Sequence, residues 1–258
     1  MINAIVKRTI TSKPDNDHTA DDGIRHTTWI INNEDDKNLI ESKLKEVDSF
    51  YVADGHHRSA AAAIVGRERA KANSNHNGNE EYNFFLAVLF PASELFIMDY
   101  NRLVKDLYGN TTEEFFDKLS KNFSIEKVNI KYSPSKKGEY GLYIDKQWYK
   151  LNVNDSFVEI DDPVESLDVA ILQKLVLNDI LGIADPRTDN RIDFVGGIRG
   201  LAELESRVDS GEMKLAISMF PTSIEELMNI ADAGEVMPPK STWFEPKLRD
   251  GLFVHFLD

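Results

Sequence analysis

Asp54, Gly55, His56, His57, Arg58 and Ser59 follow one another between a short apolar stretch, 50–53, and an alanine-rich run. Gly55 permits a tight turn and a close approach of backbone to a ligand. A helix starting just after it would aim unpaired N–H groups and its positive dipole end at the turn. Arg58 adds a planar, permanently charged fork suited to phosphate oxygens. His56 and His57 can donate further hydrogen bonds, while Asp54 can hold a metal ion or accept a proton. These residue types in this order make an anion site. The competing reading is a plain Asp-Gly turn with Arg58 in a surface ion pair. Zinc on His26, His56 and His57 is disfavoured, because adjacent histidines tend to point apart.

Two further constellations carry charge. The run Asp185-Pro-Arg-Thr-Asp-Asn-Arg-Ile-Asp193, with Gly196-Gly197 and Arg199, suits a second anion-binding turn. Arg187, Arg191 and Arg199 are candidates for a substrate carboxylate, against a charged loop whose acids and arginines pair with one another. In Met237-Pro-Pro-Lys-Ser-Thr-Trp-Phe-Glu-Pro-Lys247 the prolines pre-set an extended backbone around Lys240, Ser241 and Thr242. Lys240 could neutralise a phosphate and Glu245 could act on a hydroxyl or a metal. The alternative is a structural crossover with Trp243 and Phe244 in the core. Asp99-Tyr-Asn-Arg102 reads as a solvated turn with a surface arginine. Trp29, Phe84, Phe85 and Phe90 read as core.

The elements that must position these residues are legible in part. Residues 11–23 read as irregular, 26–31 as a strand and 33–47 as an amphipathic helix. A short strand at 50–53 leads into a helix over 59–72, where alanine gives high helix propensity. Residues 72–81 are a polar loop, and 83–91 is the strongest candidate for a buried strand. A helix over 112–123 opens on a capping-box pattern, and 125–153 is β-rich. Helices over 164–180, 198–208 and 223–232 alternate with strands at 191–195 and 214–219, and a last strand occupies 252–257. Without a repeated βαβ rhythm the class is α+β. Residues 1–155 form one part and 156–258 a second α+β part completing the cleft, or the two are continuous.

Composition narrows the function classes. The chain has 258 residues, 44 acidic against 30 basic, and no cysteine. A net charge of −14 opposes DNA binding, which draws its affinity from Lys and Arg on phosphates. Absence of cysteine removes disulfides, thiolate zinc sites and cysteine nucleophiles. No apolar run approaches a membrane span and the N-terminus lacks a signal-peptide core, so a cytoplasmic protein with small-molecule partners is expected.

The stretch Gly55-His-His-Arg58-Ser-Ala-Ala61 is similar to the GxxRxxA pattern of the ParB/sulfiredoxin superfamily, whose members bind nucleotide phosphates at this turn. VADGHHRSAAA, LFPASELFIMDYNRLVKDL, DPRTDNRIDFVGGIRG and MPPKSTWFEPKLRDGLFVH together resemble the bacterial family known as domain of unknown function 1015. That resemblance implies a ParB/sulfiredoxin-like nucleotide-binding core and, through the free serine kinases, phosphorylation of the L-serine hydroxyl with ATP or ADP and Mg²⁺. Gly55, His56, His57, Arg58 and Ser59 would bind phosphate. Asp54 would serve as base or magnesium ligand, with His56 and Glu245 as further catalytic candidates. The resemblance also implies a segment ahead of the position of Met1, and no residue here aligns with the glutamate those kinases use. A non-catalytic nucleotide-binding regulator of the ParB kind is the second expectation.

Overall fold

Local signals start the helices of the first third of the chain. Ile2–Thr9 forms α1, and the paired strands Asn16–Thr19 (β1) and Arg25–Thr28 (β2) follow as an antiparallel hairpin. Asn33 caps α2, Glu34–Leu44, by accepting the Asp36 N–H, and three acids occupy its first turn, where the helix dipole favours them. An Arg8–Asp36 ion pair links the first two helices. The alanine-rich run becomes α3, His56–Ala72, three residues earlier than propensity alone places its start. At Gly66 this helix lies so close to the next turn that a Cβ would stand 2.8 Å from the Tyr82 carbonyl oxygen.

In this computed structural model, which describes residues 1–158 and 161–257, the chain divides into two units. The first comprises Met1–Ala87 and Leu248–Asp258. Among its described residues only Ile5 and Ala20 are buried. The C-terminal tail returns onto it: Arg69 donates to the Leu257 carbonyl at 2.9 Å, and a His255 ring nitrogen lies 3.1 Å from the Glu81 carbonyl oxygen.

The second unit, Val88–Lys247, is built on a six-stranded antiparallel sheet. Its strands are Tyr100–Val104 (β4), Phe123–Val128 (β5), Glu139–Ile144 (β6), Gln147–Val153 (β7), Ile192–Gly196 (β8) and Leu215–Met219 (β9), in the order β5-β7-β6-β9-β4-β8. A separate pair joins Phe96–Met98 (β3) to Trp243–Glu245 (β10). Side chains alternate faces along each strand. Tyr140, Leu142 and Ile144 therefore enter one core with α4, Thr112–Leu119, and with α5, Asp168–Leu172, which runs on into the π-helical turns Gln173–Asn178. Tyr143 and Trp148 enter a second cluster with Leu204 of α6, Gly200–Asp209. Helix α7, Ile224–Asp232, adds Ile230 to the first core. An antiparallel sheet with helices packed on it is the expected α+β class. The sheet draws strands from both sides of residue 155.

Several expected elements are absent. Residues 50–53, 83–91 and 252–257 form no strand, and a short hairpin strand stands within the stretch expected to be irregular. Phe84 and Phe85 are 55% and 57% exposed, Phe90 and Trp29 only half-buried. A strand exists only where a partner strand completes its hydrogen bonds, and an apolar run encodes no partner. No described helix is long and apolar enough to cross a membrane.

Candidate functional site

The turn ahead of α3 is organised by its own backbone. Asp54 Oδ1 accepts the Gly55 N–H at 2.7 Å, and Gly55 sits at φ 87°, ψ 27°, a left-handed conformation that glycine adopts without strain. The chain then enters a helix of 17 residues with no side chain capping its N-terminus and no acid in its first turn. Ser59 N–H closes the first turn onto the Gly55 carbonyl at 2.9 Å. The N–H groups of His56, His57 and Arg58 thus belong to the helical positions that have no intrahelical acceptor.

Arg58 folds back over this turn. A Cβ on Gly55 would meet its Nε at 3.3 Å and Nη2 at 3.4 Å, so the absence of a side chain at Gly55 makes room for the guanidinium. It pairs with Asp250 at 3.6 Å, and both side chains are largely exposed. A pair in that setting is worth little and is readily exchanged for a better anion. His56 and His57 are exposed and Ser59 is half-buried. Glycine turn, uncapped helix N-terminus and a cation held over both can bind a phosphate group. Among the described residues no group of three histidines, aspartates or glutamates is arranged to hold a metal ion.

The other candidate residues lie in the second unit. Arg191 is committed internally: it pairs with Asp189 at 2.7 Å, donates to the carbonyls of Leu181 and Gly182 at 2.9 and 3.1 Å, and stands 5.2 Å from the Tyr108 ring. It ties the end of the π-helical segment to the loop before β8. Arg187 pairs with Asp185 two positions away at 3.0 Å, and Arg199 is exposed, 3.9 Å from Glu203. The expected anion turn at Gly196-Gly197 is corrected. Trp243 occupies the space where a Gly196 side chain would be, and the Asp99 carboxylate is seated against Gly197. A carboxylate in that position repels an anion, and these glycines serve close packing.

The proline-rich loop is tied down by side-chain bonds to its own carbonyls. Ser241 is buried and donates its hydroxyl to the Pro238 carbonyl at 2.5 Å, and Thr222 donates to the Ser241 carbonyl at 3.2 Å. Thr242 is half-buried, whereas Lys240 is exposed and adopts φ 58°. Glu245 accepts from the Trp243 indole at 2.8 Å and from the Lys247 N–H at 3.0 Å. Phe244 is buried, as the crossover alternative expects.

Arg102 also departs from expectation. It is 3% exposed within β4, and not a surface residue of a solvated turn. The alternation Tyr100, Arg102, Val104 was a signal for this, because it places Arg102 on the same face as a core valine. Two buried acids gave no local signal. Glu139 accepts from Tyr132, Ser135 and Lys150; burial alone would raise its carboxyl, but these bonds outweigh it and lower it to about 2. Asp168 accepts the Gly138 N–H on both oxygens, yet burial pushes it up to about 7.

Fold and site together define an α+β protein with a glycine turn and an exposed arginine at an uncapped helix N-terminus. The chain belongs to the family described as protein of unknown function DUF1015, whose profile matches residues 1–170. Comparison with curated proteins gives no match. Among solved structures, a free serine kinase in complex with AMP is similar at 15% identity and a TM-score of 0.40, over 81% of this chain and 78% of that one. A mutant free serine kinase in complex with ADP gives 15% identity and 0.36 over the same shares. A conserved hypothetical protein from Pyrococcus furiosus gives 14% and 0.38 over 81% of each chain. Likenesses this remote assign neither ligand nor activity.

Proposed function

We propose that this protein is a nucleotide-dependent kinase that phosphorylates the hydroxyl of a small molecule, with free L-serine as acceptor and O-phosphoserine as product. The observation that carries the reading is the Arg58 guanidinium folded over left-handed Gly55 at the uncapped start of α3. Phosphoryl transfer needs positioning and charge neutralisation more than covalent chemistry, and these are the parts that supply both. In this reading the turn belongs to a ParB/sulfiredoxin-like core. Gly55, His56, His57, Arg58 and Ser59 hold the phosphates of ATP or ADP, and Asp54 takes the proton of the attacking hydroxyl. Mg²⁺ bound with a nucleotide is held mainly by phosphate oxygens and water with one or two carboxylates, a donor set that the single carboxylate of Asp54 fits. His56 is the second catalytic candidate at the turn. In the second unit, Arg199 presents an exposed cationic head suited to a carboxylate. Arg187, Arg191, Ser241, Thr242 and Glu245 would act by shaping their loops.

The test incubates the protein with Mg²⁺, L-serine and either ATP or ADP and follows O-phosphoserine by ³¹P NMR, beside a nucleotide-binding titration. Product that disappears in Asp54→Asn is expected, with nucleotide affinity falling at least tenfold in Arg58→Ala, as loss of a charge-assisted contact predicts. Binding that depends on Arg58 without product from either nucleotide would replace the kinase by a nucleotide-binding regulator. No nucleotide binding at all would sink both.

A further inference from the structure

Arg102 is a buried cation without an acid. Its guanidinium donates to the carbonyls of Tyr100 and Lys240, the latter at 3.0 Å, and lies 5.5 Å from the Phe194 ring centre. Among the described residues no carboxylate pairs with it, although the chain carries 44 acids against 30 bases. Burial lowers its pKa to about 10, so it stays charged at neutral pH. Buried charges are ordinarily matched by an opposite charge, because desolvating one costs several kcal/mol. The acid nearest in sequence, Asp99, is engaged with the Asn101 amide at 2.5 Å and seated against Gly197.

The carbonyl that Arg102 holds belongs to the one strained residue of the proline-rich loop. Lys240 has φ 58°, a conformation that costs a non-glycine residue roughly 1 kcal/mol or more and persists where its surroundings over-determine it. Those surroundings are the Arg102 bond, the Thr222 and Ser241 hydroxyl bonds and two consecutive prolines. The outcome is that the Lys240 ammonium stands 5.9 Å from the Tyr100 ring centre, with no acid paired to it among the described residues. Tyr100 in turn meets Trp243 edge-on at 5.6 Å.

We propose that the loop carrying Lys240 is a binding site for a compact oxyanion, a phosphate ester or a carboxylate, with Lys240 as the contacting cation and Arg102 as its positioning residue. The ligand supplies the negative charge that the protein leaves out, and the strained loop fixes the backbone from which the ammonium reaches it. This site lies wholly in the second unit and uses no residue of the Gly55 turn, so it stands whether or not the kinase reading does.

The test uses the full-length Arg58→Ala protein, in which the turn at Gly55 is disabled, and follows Trp fluorescence and NMR shifts on titration with inorganic phosphate, O-phosphoserine and L-serine. Saturable binding that weakens at least tenfold in both Lys240→Met and Arg102→Lys is expected. The second variant keeps the charge but loses the fork that holds the Lys240 carbonyl, and it avoids the folding loss that Arg102→Met could cause. Response to phosphate and O-phosphoserine but not L-serine identifies the phosphate ester, and response to L-serine identifies the carboxylate. Absence of saturable binding by all three, or affinity unchanged in Lys240→Met, overturns the proposal. Weakening in Lys240→Met with unchanged affinity in a folded Arg102→Lys overturns the role of Arg102.

Discussion

Asp168 shows how one side chain sets a pH dependence. Its oxygens take the Gly138 N–H at 2.9 and 3.1 Å, its backbone carbonyl takes the Tyr140 hydroxyl, and Glu226 with its partner Lys137 is close enough to be felt. Burial raises the carboxyl from 3.8 to about 7. Between those values the folded chain holds a proton that the unfolded chain has lost. The contribution to stability is therefore complete below about pH 4 and disappears as pH rises through 7, an effect of about 4 kcal/mol. Glu139 has the opposite sign and matters only below its ordinary value of 4.5, as pH falls toward 2. Asp168→Asn, which keeps an acceptor for Gly138, is expected to flatten the fall in Tm between pH 5 and 8 and to raise Tm at pH 8. Thermal melts across that range check it, and an unchanged slope would remove Asp168 as its source.

Among the elements, α3 carries the candidate turn and is the least conventionally supported. Its glycine at position 66 tests whether propensity or packing decides its stability. Alanine gains about 1 kcal/mol over glycine in a helix interior. Here the added Cβ would stand 2.8 Å from the Tyr82 carbonyl oxygen, a backbone atom that cannot swing away. Overpacking of that kind costs typically 1–3 kcal/mol, so Gly66→Ala is expected to lower the Tm of the unit that contains it. A rise in Tm, measured by circular dichroism at the helical signal, would show the helix free to shift from Tyr82.

For the molecule as a whole, burial is distributed unevenly. The second unit has two clusters of buried side chains on the faces of one sheet, whereas the first buries only Ile5 and Ala20 among its described residues. Local opening free energy follows buried apolar contacts. Hydrogen exchange is therefore expected to be fast in α3 and slow in β4, β6 and β9, by two orders of magnitude or more. Nucleotide is expected to slow the first turn of α3, from His56 to Ser59, without changing exchange in the sheet. Equal protection of α3 and the sheet before nucleotide is added would contradict this account.

Whatever depends on neighbours in sequence was legible without the structure. Alanine propensity marked α3, and the Thr111–Glu114 pair marked a helix start that the structure builds as a capping box. Gly55 at the head of a helix, with Arg58 three residues on, was legible for the same reason. Partners distant in the chain were not. Residues 83–91 are apolar enough for a strand, but no other strand pairs with them among the described residues. Arg102 is charged enough for the surface, but β4 lies between β8 and β9 and takes it inside. The order of charges and glycines around Gly55 was enough to locate the turn and the helix start that follows it. Only the tertiary structure decided which cations are committed internally, as at Arg191, and which are left without an acid, as at Arg102. Burial and pairing are properties of the assembled sheet and loops, and a local pattern does not contain them.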